Sequence, residues 1–178
     1  MNLKILHQIF FIHGEIKSIN NDILTKHCLK SFNQNKILSA DITDSKNEDI
    51  LIPKNKEFDK IINEISSQFK NNYNQDLILT NFWSQVHSKN ESTNLHDHVD
   101  CFDLKNSPVY SGVYYVKVPK NSGKIVFQYN INKYNQYNRW WYEPKESHFL
   151  LFPSTLDHFV TKNLSNEYRI SISFNFKI

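Results

Sequence analysis

The sequence predicts a mainly β fold with flanking helices (α+β), an antiparallel barrel or jelly roll with the helices packed outside it. Two helical patterns occupy the first 75 residues, and from Leu77 onward short apolar segments recur as they do in strands. Six or seven short strands after two helices are typical of such a barrel. We therefore expect a single domain, 1–178, in which 1–75 form a scaffold segment and 76–178 form the barrel core.

One strand and one helix are predicted at the start of the chain. Apolar residues indicate a strand near residues 3–13, closed by the glycine that follows. A helix is expected over residues 20–32, with Asn20 or Asn21 as its N-cap, because an Asn side chain accepts hydrogen bonds from the free N–H groups at a helix start. Residues 33–54 are polar and acidic, and we expect them to be mostly irregular.

A second helix is predicted by a stripe of apolar residues at three- and four-residue spacing. Its members are Phe58, Ile61, Ile62, Ile65 and Phe69. Such a stripe covers one face of a helix, which should pack on a sheet. Asn55 is the expected N-cap, and the helix should fail in the polar run at residues 71–74.

The strands follow from Leu77 to the end of the chain. They are predicted at residues 77–86, 109–118, 124–129, 148–152, 158–161 and 168–176. The last strand alternates strictly between polar and apolar residues, which indicates one polar face and one core face. Arg169, Ser171, Ser173 and Asn175 share the polar face.

Composition excludes several classes of function. A formal net charge of +3, without a basic block, argues against binding to nucleic acid or to an anionic membrane. No apolar stretch approaches the length of a membrane span. The two cysteines, Cys28 and Cys101, are far apart and form no disulfide framework. We therefore expect a soluble, cytoplasmic protein with reduced thiols.

The stretch His96-Asp97-His98-Val99-Asp100 contains the strongest sign of chemistry. His98 and Asp100 are two residues apart, so on an extended strand both side chains leave the same face. A distant His158 follows an apolar strand and would be a third donor. Two histidines and one carboxylate on one face are the ligand set of non-haem iron oxygenases, which leaves other positions open.

A second ligand set is open within the same stretch. His96 points to the same face as His98, and H-x-H pairs occur in cupin-type metal sites. If His96 and His98 were both ligands, Asp100 would be an outer-shell hydrogen-bond acceptor.

The segments around these residues resemble the core of prolyl hydroxylases of the Fe(II)/2-oxoglutarate type, in which an H-x-D motif precedes a strand bearing Tyr-Tyr. Here the motif is His98-Val99-Asp100, and the strand carries Val113-Tyr114-Tyr115-Val116. The run Ser111-Gly112-Val113-Tyr114-Tyr115-Val116 is also similar to a family of 2-oxoglutarate oxygenases of bacteria and phages. Leu150-Leu151-Phe152-Pro153-Ser154 and the segment from Arg169 to Asn175 continue that similarity, which covers residues 80–178.

The resemblance implies a fold, a cofactor set and roles for six residues. The fold would be a double-stranded β-helix, and the cofactors would be Fe(II), 2-oxoglutarate and O2. By the same resemblance, His98, Asp100 and His158 would ligate the iron. Arg169 would bind the distal carboxylate of 2-oxoglutarate through its rigid guanidinium fork, with Ser171 and Tyr115 donating to the same carboxylate.

One departure from the bacterial and phage pattern bears on the choice of ligands. That family tends to have H-x-H-Pro with a short link to Ser-Gly, whereas Val99 stands here in place of the Pro and the link is longer. The longer link agrees better with the prolyl hydroxylase spacing. On this ground the sequence favours His98 with Asp100.

The implied activity is hydroxylation of a C–H bond, with a peptidyl proline or another amino-acid side chain as the first substrate candidate. Two loops, 101–108 and 130–144, should line the entrance, and the second is rich in aromatic residues such as Trp140 and Trp141. Two other functions stay open at this point. One is a catalytically inactive jelly-roll binding module, and the other is a cupin-like metalloprotein that does not use 2-oxoglutarate.

Overall fold

The computed structural model describes residues 9–38, 55–129 and 137–178. Within these ranges two helices precede most of the strands. The elements are β1 (Ile12–Glu15), α1 (Asn21–Leu38), α2 (Lys56–Tyr73), β2 (Ile78–His87), β3 (Thr93–His96), β4 (Tyr110–Lys117), β5 (Ile125–Tyr129), β6 (Asn138–Tyr142), β7 (His148–Pro153), β8 (His158–Val160) and β9 (Arg169–Lys177). No helix in the described ranges is long and apolar enough to cross a membrane.

The strands form two antiparallel sheets. The larger sheet has the order β1-β7-β4-β9-β2, and the smaller has the order β3-β8-β5-β6. Side chains from both sheets line a common cavity, so the sheets face each other. This arrangement is the jelly roll, or double-stranded β-helix, and it confirms the predicted fold class.

The helices pack on the outer face of the larger sheet, as the apolar stripe predicts. The rings of Phe58 in α2 and Phe82 in β2 stack with centroids 3.8 Å apart. The predicted caps are also present. The Asn55 carboxamide oxygen accepts from the backbone N–H groups of Glu57 and Phe58, both at 3.0 Å. Asn20 does the same at the start of α1.

The two faces of β9 separate the core from the cavity. Ile170, Ile172, Phe174 and Phe176 are fully buried in the core beneath the helices. On the opposite face, Arg169, Ser171 and Ser173 line the cavity between the sheets. The strict alternation in the sequence predicted this division.

Several elements differ from the sequence-based expectation. β6 lies within the segment 130–144 that was expected as a loop, and β3 was not among the predicted strands, but β3 pairs with β8 and β6 with β5. Both are short and largely exposed, so little apolar alternation marks them. Helix α1 continues to Leu38, beyond its expected end. The strand expected over residues 3–13 is observed at Ile12–Glu15. Gly14, which was expected to end the strand, lies inside it.

Parts of three expectations lie outside the described residues. They are residues 3–8 of the first strand, most of the irregular segment 33–54, and residues 130–136 of the aromatic loop.

Candidate metal and cosubstrate site

The cavity between the sheets is the centre of the candidate site. Its empty space, including the part open to solvent, is about 450 Å³. One end is lined by histidines and the other by Arg169. Tyr115, Ile125 and Ser171 line it as well.

Three histidines meet at one end of the cavity. One ring nitrogen from each of His96, His98 and His158 lies within 4.8 Å of the others. The Nε2 atoms of His98 and His158 are 3.3 Å apart, and the ring centroids of His96 and His158 are 4.3 Å apart. Three nitrogen donors at this separation are close enough to share one divalent metal ion.

Backbone pairing places these rings together. His96, the last residue of β3, lies opposite His158, the first residue of β8. The segment that follows β3 is fixed by a 3.0 Å hydrogen bond from the His98 N–H to the Ser154 carbonyl oxygen. This bond fixes His98 next to the connection between β7 and β8, and its ring lies beside that of His158.

Hydrogen bonds to backbone carbonyl groups orient two of the rings. His158 Nδ1 lies 2.8 Å from the Leu156 oxygen, and His96 Nδ1 lies 2.8 Å from the Asn94 oxygen. Since a carbonyl oxygen only accepts, each Nδ1 carries the proton and each Nε2 keeps its lone pair. This tautomer is the one in which Nε2 is a metal ligand.

Burial also keeps two of these imidazoles neutral. Desolvation is the main cause that lowers the pKa of His158 to about 3 and that of His98 to about 4, and the neighbouring His96 lowers both further. A neutral imidazole is the form that binds metal. At neutral pH the rings of His98 and His158 are therefore each able to offer a nitrogen lone pair to a metal ion.

Asp100 lies outside this cluster. Its carboxylate accepts a 2.9 Å hydrogen bond from the Phe102 N–H, and its own N–H donates to the Ser107 Oγ at 2.8 Å. The residue is exposed and belongs to the loop after β3. Of the four sequence candidates for metal ligation, the structure thus brings together His96, His98 and His158.

Arg169 lies at the other end of the cavity as a buried cation. Its side chain is 2% exposed, and among the described residues no carboxylate forms a salt bridge with it. One terminal nitrogen donates to His87 Nδ1 at 3.0 Å and the other to the Ser122 carbonyl oxygen at 3.4 Å. Its Nε–H has no partner in the described part of the chain. Burial lowers the pKa of Arg169 to about 10, so it stays charged at neutral pH.

Tyr115 and Ser171 lie beside Arg169, in the grouping that the resemblance implied. They are opposite each other on β4 and β9, and both are buried. The Tyr115 hydroxyl has no hydrogen-bond partner among the described residues. Desolvation raises the pKa of Tyr115, which keeps the hydroxyl protonated and able to donate. An unpaired guanidinium N–H and an unpaired hydroxyl form a ready site for a carboxylate.

Strand β2 supplies cavity residues to which the sequence analysis gave no role. Trp83 and Gln85 line the cavity, and His87, two residues further on the same face, contacts Arg169. The Trp83 Nε1–H is buried without a partner in the described structure. Gln85 and His87 are polar residues on either side of Val86, and this alternation was the signal that could have identified the face.

A cavity with three clustered histidines at one end and a buried guanidinium at the other defines a class of protein. It fits a metal-dependent jelly roll that binds a small carboxylate ligand. Residues 81–175 match the family described as "Putative 2OG-Fe(II) oxygenase". The match covers more than half of the chain, and the protein belongs to this family. It is therefore an oxygenase whose cofactors are Fe(II), 2-oxoglutarate and O2.

Solved structures of several enzymes share the fold. The viral collagen prolyl hydroxylase of Paramecium bursaria chlorella virus-1 is 14% identical, with a TM-score of 0.64, and the alignment covers 94% of this chain and 96% of that one. A Pseudomonas putida prolyl-4-hydroxylase is 11% identical, with a TM-score of 0.57 and coverage of 94% and 85%. The carbocyclase SnoK of nogalamycin biosynthesis is 11% identical, with a TM-score of 0.62 and coverage of 93% and 78%. No curated protein sequence matches the chain.

Proposed function

We propose that the protein hydroxylates a C–H bond of a peptidyl proline or another amino-acid side chain while it consumes 2-oxoglutarate. The observation that supports the proposal is the cavity, which has Arg169 at one end and the three histidines at the other. Among the described residues, no carboxylate forms a salt bridge with the buried Arg169. A dicarboxylate with a keto acid group has the two ends that such a cavity requires. Residues 76–178 would carry the chemistry and residues 1–75 would support the larger sheet.

The proposed metal ligands are His96, His98 and His158. The sequence favoured Asp100 in place of His96, on the spacing to the Tyr-Tyr strand. We instead assign His96 as the third ligand, because its ring lies beside His158. The Asp100 carboxylate accepts a hydrogen bond from the Phe102 N–H. Three neutral donors leave the charge of Fe(II) intact, which would strengthen its attraction for an anionic cosubstrate.

The proposed 2-oxoglutarate site consists of Arg169, Tyr115 and Ser171. The unpartnered Arg169 Nε–H and Tyr115 hydroxyl would donate to the distal carboxylate, and Ser171 would donate beside them. The bound metal and cosubstrate supply the oxidation chemistry. The role of the protein is to fix the cosubstrate between the two ends of the cavity and to exclude water from the buried part.

Exposed apolar side chains near the histidines support a peptide or amino-acid substrate. Phe102, four residues after His98, is 98% exposed, and Leu104 in the same loop is 70% exposed. Side chains of this kind bury apolar or ring groups when a ligand docks. The loop 101–108 and the described part of the aromatic segment would thus contact the substrate.

Turnover with candidate substrates tests the proposed reaction. We expect the Fe(II)-loaded protein to form succinate from 2-oxoglutarate, faster with a proline-containing peptide than without it. The peptide should gain the mass of one oxygen atom. His158→Ala is the matched inactive variant. Ligand binding without succinate formation, unchanged in His158→Ala, would instead indicate a binding module.

Two single substitutions test the ligand set. If His96 is a ligand, His96→Ala weakens Fe(II) binding by 10-fold or more, on the order expected for loss of one donor, while Asp100→Asn changes it by less than about 3-fold. Metal content after dialysis and the Fe(II) dissociation constant give the comparison. The reverse ranking would restore Asp100 as the ligand. Tight metal binding with no dependence of turnover on Arg169 would favour a cupin-like metalloprotein.

A further inference from the structure

We propose that His87 is the positioning residue for Arg169. Its neutral ring nitrogen accepts a hydrogen bond from the guanidinium, which leaves the positive charge available to the cosubstrate carboxylate. This inference rests on the proposed 2-oxoglutarate site. It assigns a role to a strand that the sequence resemblance left without one.

His87 is held on three sides. It is 2% exposed and lies opposite Arg169 in the pairing of β2 with β9. Its Nδ1 is 3.0 Å from an Arg169 terminal nitrogen, and its Nε2 is 2.9 Å from the Thr93 Oγ1. Its backbone carbonyl oxygen accepts from the Asn163 side chain at 2.9 Å. The ring therefore has little freedom to turn away from the guanidinium.

The chemistry of the contact determines the tautomer of His87. A guanidinium only donates hydrogen bonds, so Nδ1 must accept and the proton must sit on Nε2. The Nε2–H then donates to the Thr93 hydroxyl oxygen. Burial and the Arg169 charge lower the pKa of His87 to about 3, so this neutral form is the one present at neutral pH.

A neutral acceptor has a functional advantage over a carboxylate at this position. A carboxylate would satisfy the same Arg169 N–H but would also neutralise the cation and compete with the ligand. His87 satisfies one N–H of the buried group and leaves the net charge in place. The unpartnered Nε–H is then free to donate to a carboxylate in the cavity.

The matched pair His87→Asn and His87→Asp tests this directly. Both side chains place an oxygen near the position of Nδ1, and they differ in charge. In the anaerobic Fe(II) protein we expect His87→Asn to bind 2-oxoglutarate within about 3-fold of wild type and His87→Asp to bind it about 100-fold more weakly. In steady state, His87→Asp should raise KM for 2-oxoglutarate far more than it lowers kcat. Fe(II) affinity should be unchanged in both.

Thr93→Val is the second variant, which removes the hydroxyl that accepts from His87 Nε2–H. We expect it to weaken 2-oxoglutarate binding about 3- to 10-fold without loss of the fold, which thermal melting checks. The control condition is that wild type binds 2-oxoglutarate and Arg169→Lys binds it more weakly. Under that condition, the inference is overturned if His87→Asn and His87→Asp bind 2-oxoglutarate equally, or if Thr93→Val binds it like wild type. Failure of wild type itself to bind 2-oxoglutarate would reject the proposed function instead.

Discussion

Arg169 has two hydrogen bonds and no described acidic partner, although its side chain is 2% exposed. A buried charge without a counterion costs free energy of folding unless other groups solvate it. Its two acceptors, His87 Nδ1 and the Ser122 carbonyl oxygen, are both neutral. The side chain is thus held in a geometry that an anionic ligand would complete.

Substitution of Arg169 by Lys tests this interpretation. Lys retains the charge but lacks the planar fork, so we expect the dissociation constant of 2-oxoglutarate to rise about 10- to 100-fold. Calorimetric titration of the Mn(II)-loaded protein provides the measurement. Arg139→Lys is the control, because Arg139 is the other arginine of the chain and lies exposed on β6. Equal effects of the two substitutions would contradict a specific role for Arg169.

The sequence identified the candidate residues of the site, but it did not identify which of His96 and Asp100 lies with the other histidines. Alternation along β9 placed Arg169 and Ser171 on one face, and the resemblance implied Tyr115, which lies opposite Ser171. The question of His96 or Asp100 depended on where β3 ends. Strand β3 stops at His96, so the two-residue alternation that placed Asp100 beside His98 does not extend past it. Pairing with a distant strand sets that boundary, and the local sequence does not record it.

At the scale of elements, α2 supports the sheet that carries Arg169. Its buried residues pack beneath β2 and β9 on the face opposite the cavity. Its start is capped by Asn55, and its end by Asn74, whose φ of 54° lies in the left-handed region. The N-cap requires a side-chain hydrogen-bond acceptor, whereas the C-cap requires only a residue that adopts the left-handed backbone conformation.

Substitution of each cap separates these needs. Asn55→Ala removes the acceptor of two N–H groups and should lower the free energy of unfolding by about 1 kcal/mol. Asn74→Gly keeps the left-handed conformation accessible and should be neutral or slightly stabilising. Urea unfolding measures both, and 2-oxoglutarate affinity should stay at the wild-type value. A larger loss for Asn74→Gly than for Asn55→Ala would contradict this account of the helix ends.

The elements that the sequence predicted are the ones with long apolar patterns. Helix α2 and strand β9 bury most of one face, and their spacing shows it. Strands β3 and β6 were not predicted because they are largely exposed and show no apolar alternation, and they form through pairing with β8 and β5. Tertiary pairing of this kind overrides weak local propensity.

For the whole molecule, the burial of three neutral histidines should make the free energy of unfolding depend on pH. Burial lowers the pKa of His87 and of His158 to about 3 and that of His98 to about 4, from an ordinary 6.5. Below pH 6.5 the unfolded chain binds protons at these three positions and the folded chain does not. The free energy of unfolding therefore falls as the pH falls from 6.5 toward 3.

Urea unfolding of the metal-free protein between pH 7 and pH 5 tests this dependence. Each of the three histidines should contribute up to about 1.4 kcal/mol per pH unit below 6.5. His87→Asn should reduce the slope by the share of one histidine. A slope that is the same in wild type and His87→Asn would show that His87 titrates normally in the folded state.

The most direct test of the metal and cosubstrate site is anaerobic absorption spectroscopy. Fe(II) and 2-oxoglutarate bound together give a visible charge-transfer band, which neither gives alone. We predict that the wild-type protein develops this band with saturable dependence on 2-oxoglutarate, that His158→Ala abolishes it, and that Arg169→Ala shifts the titration to much higher concentrations. Absence of the band in wild type, or a titration unchanged in Arg169→Ala, would contradict the assignment of the three histidines and Arg169 to one site.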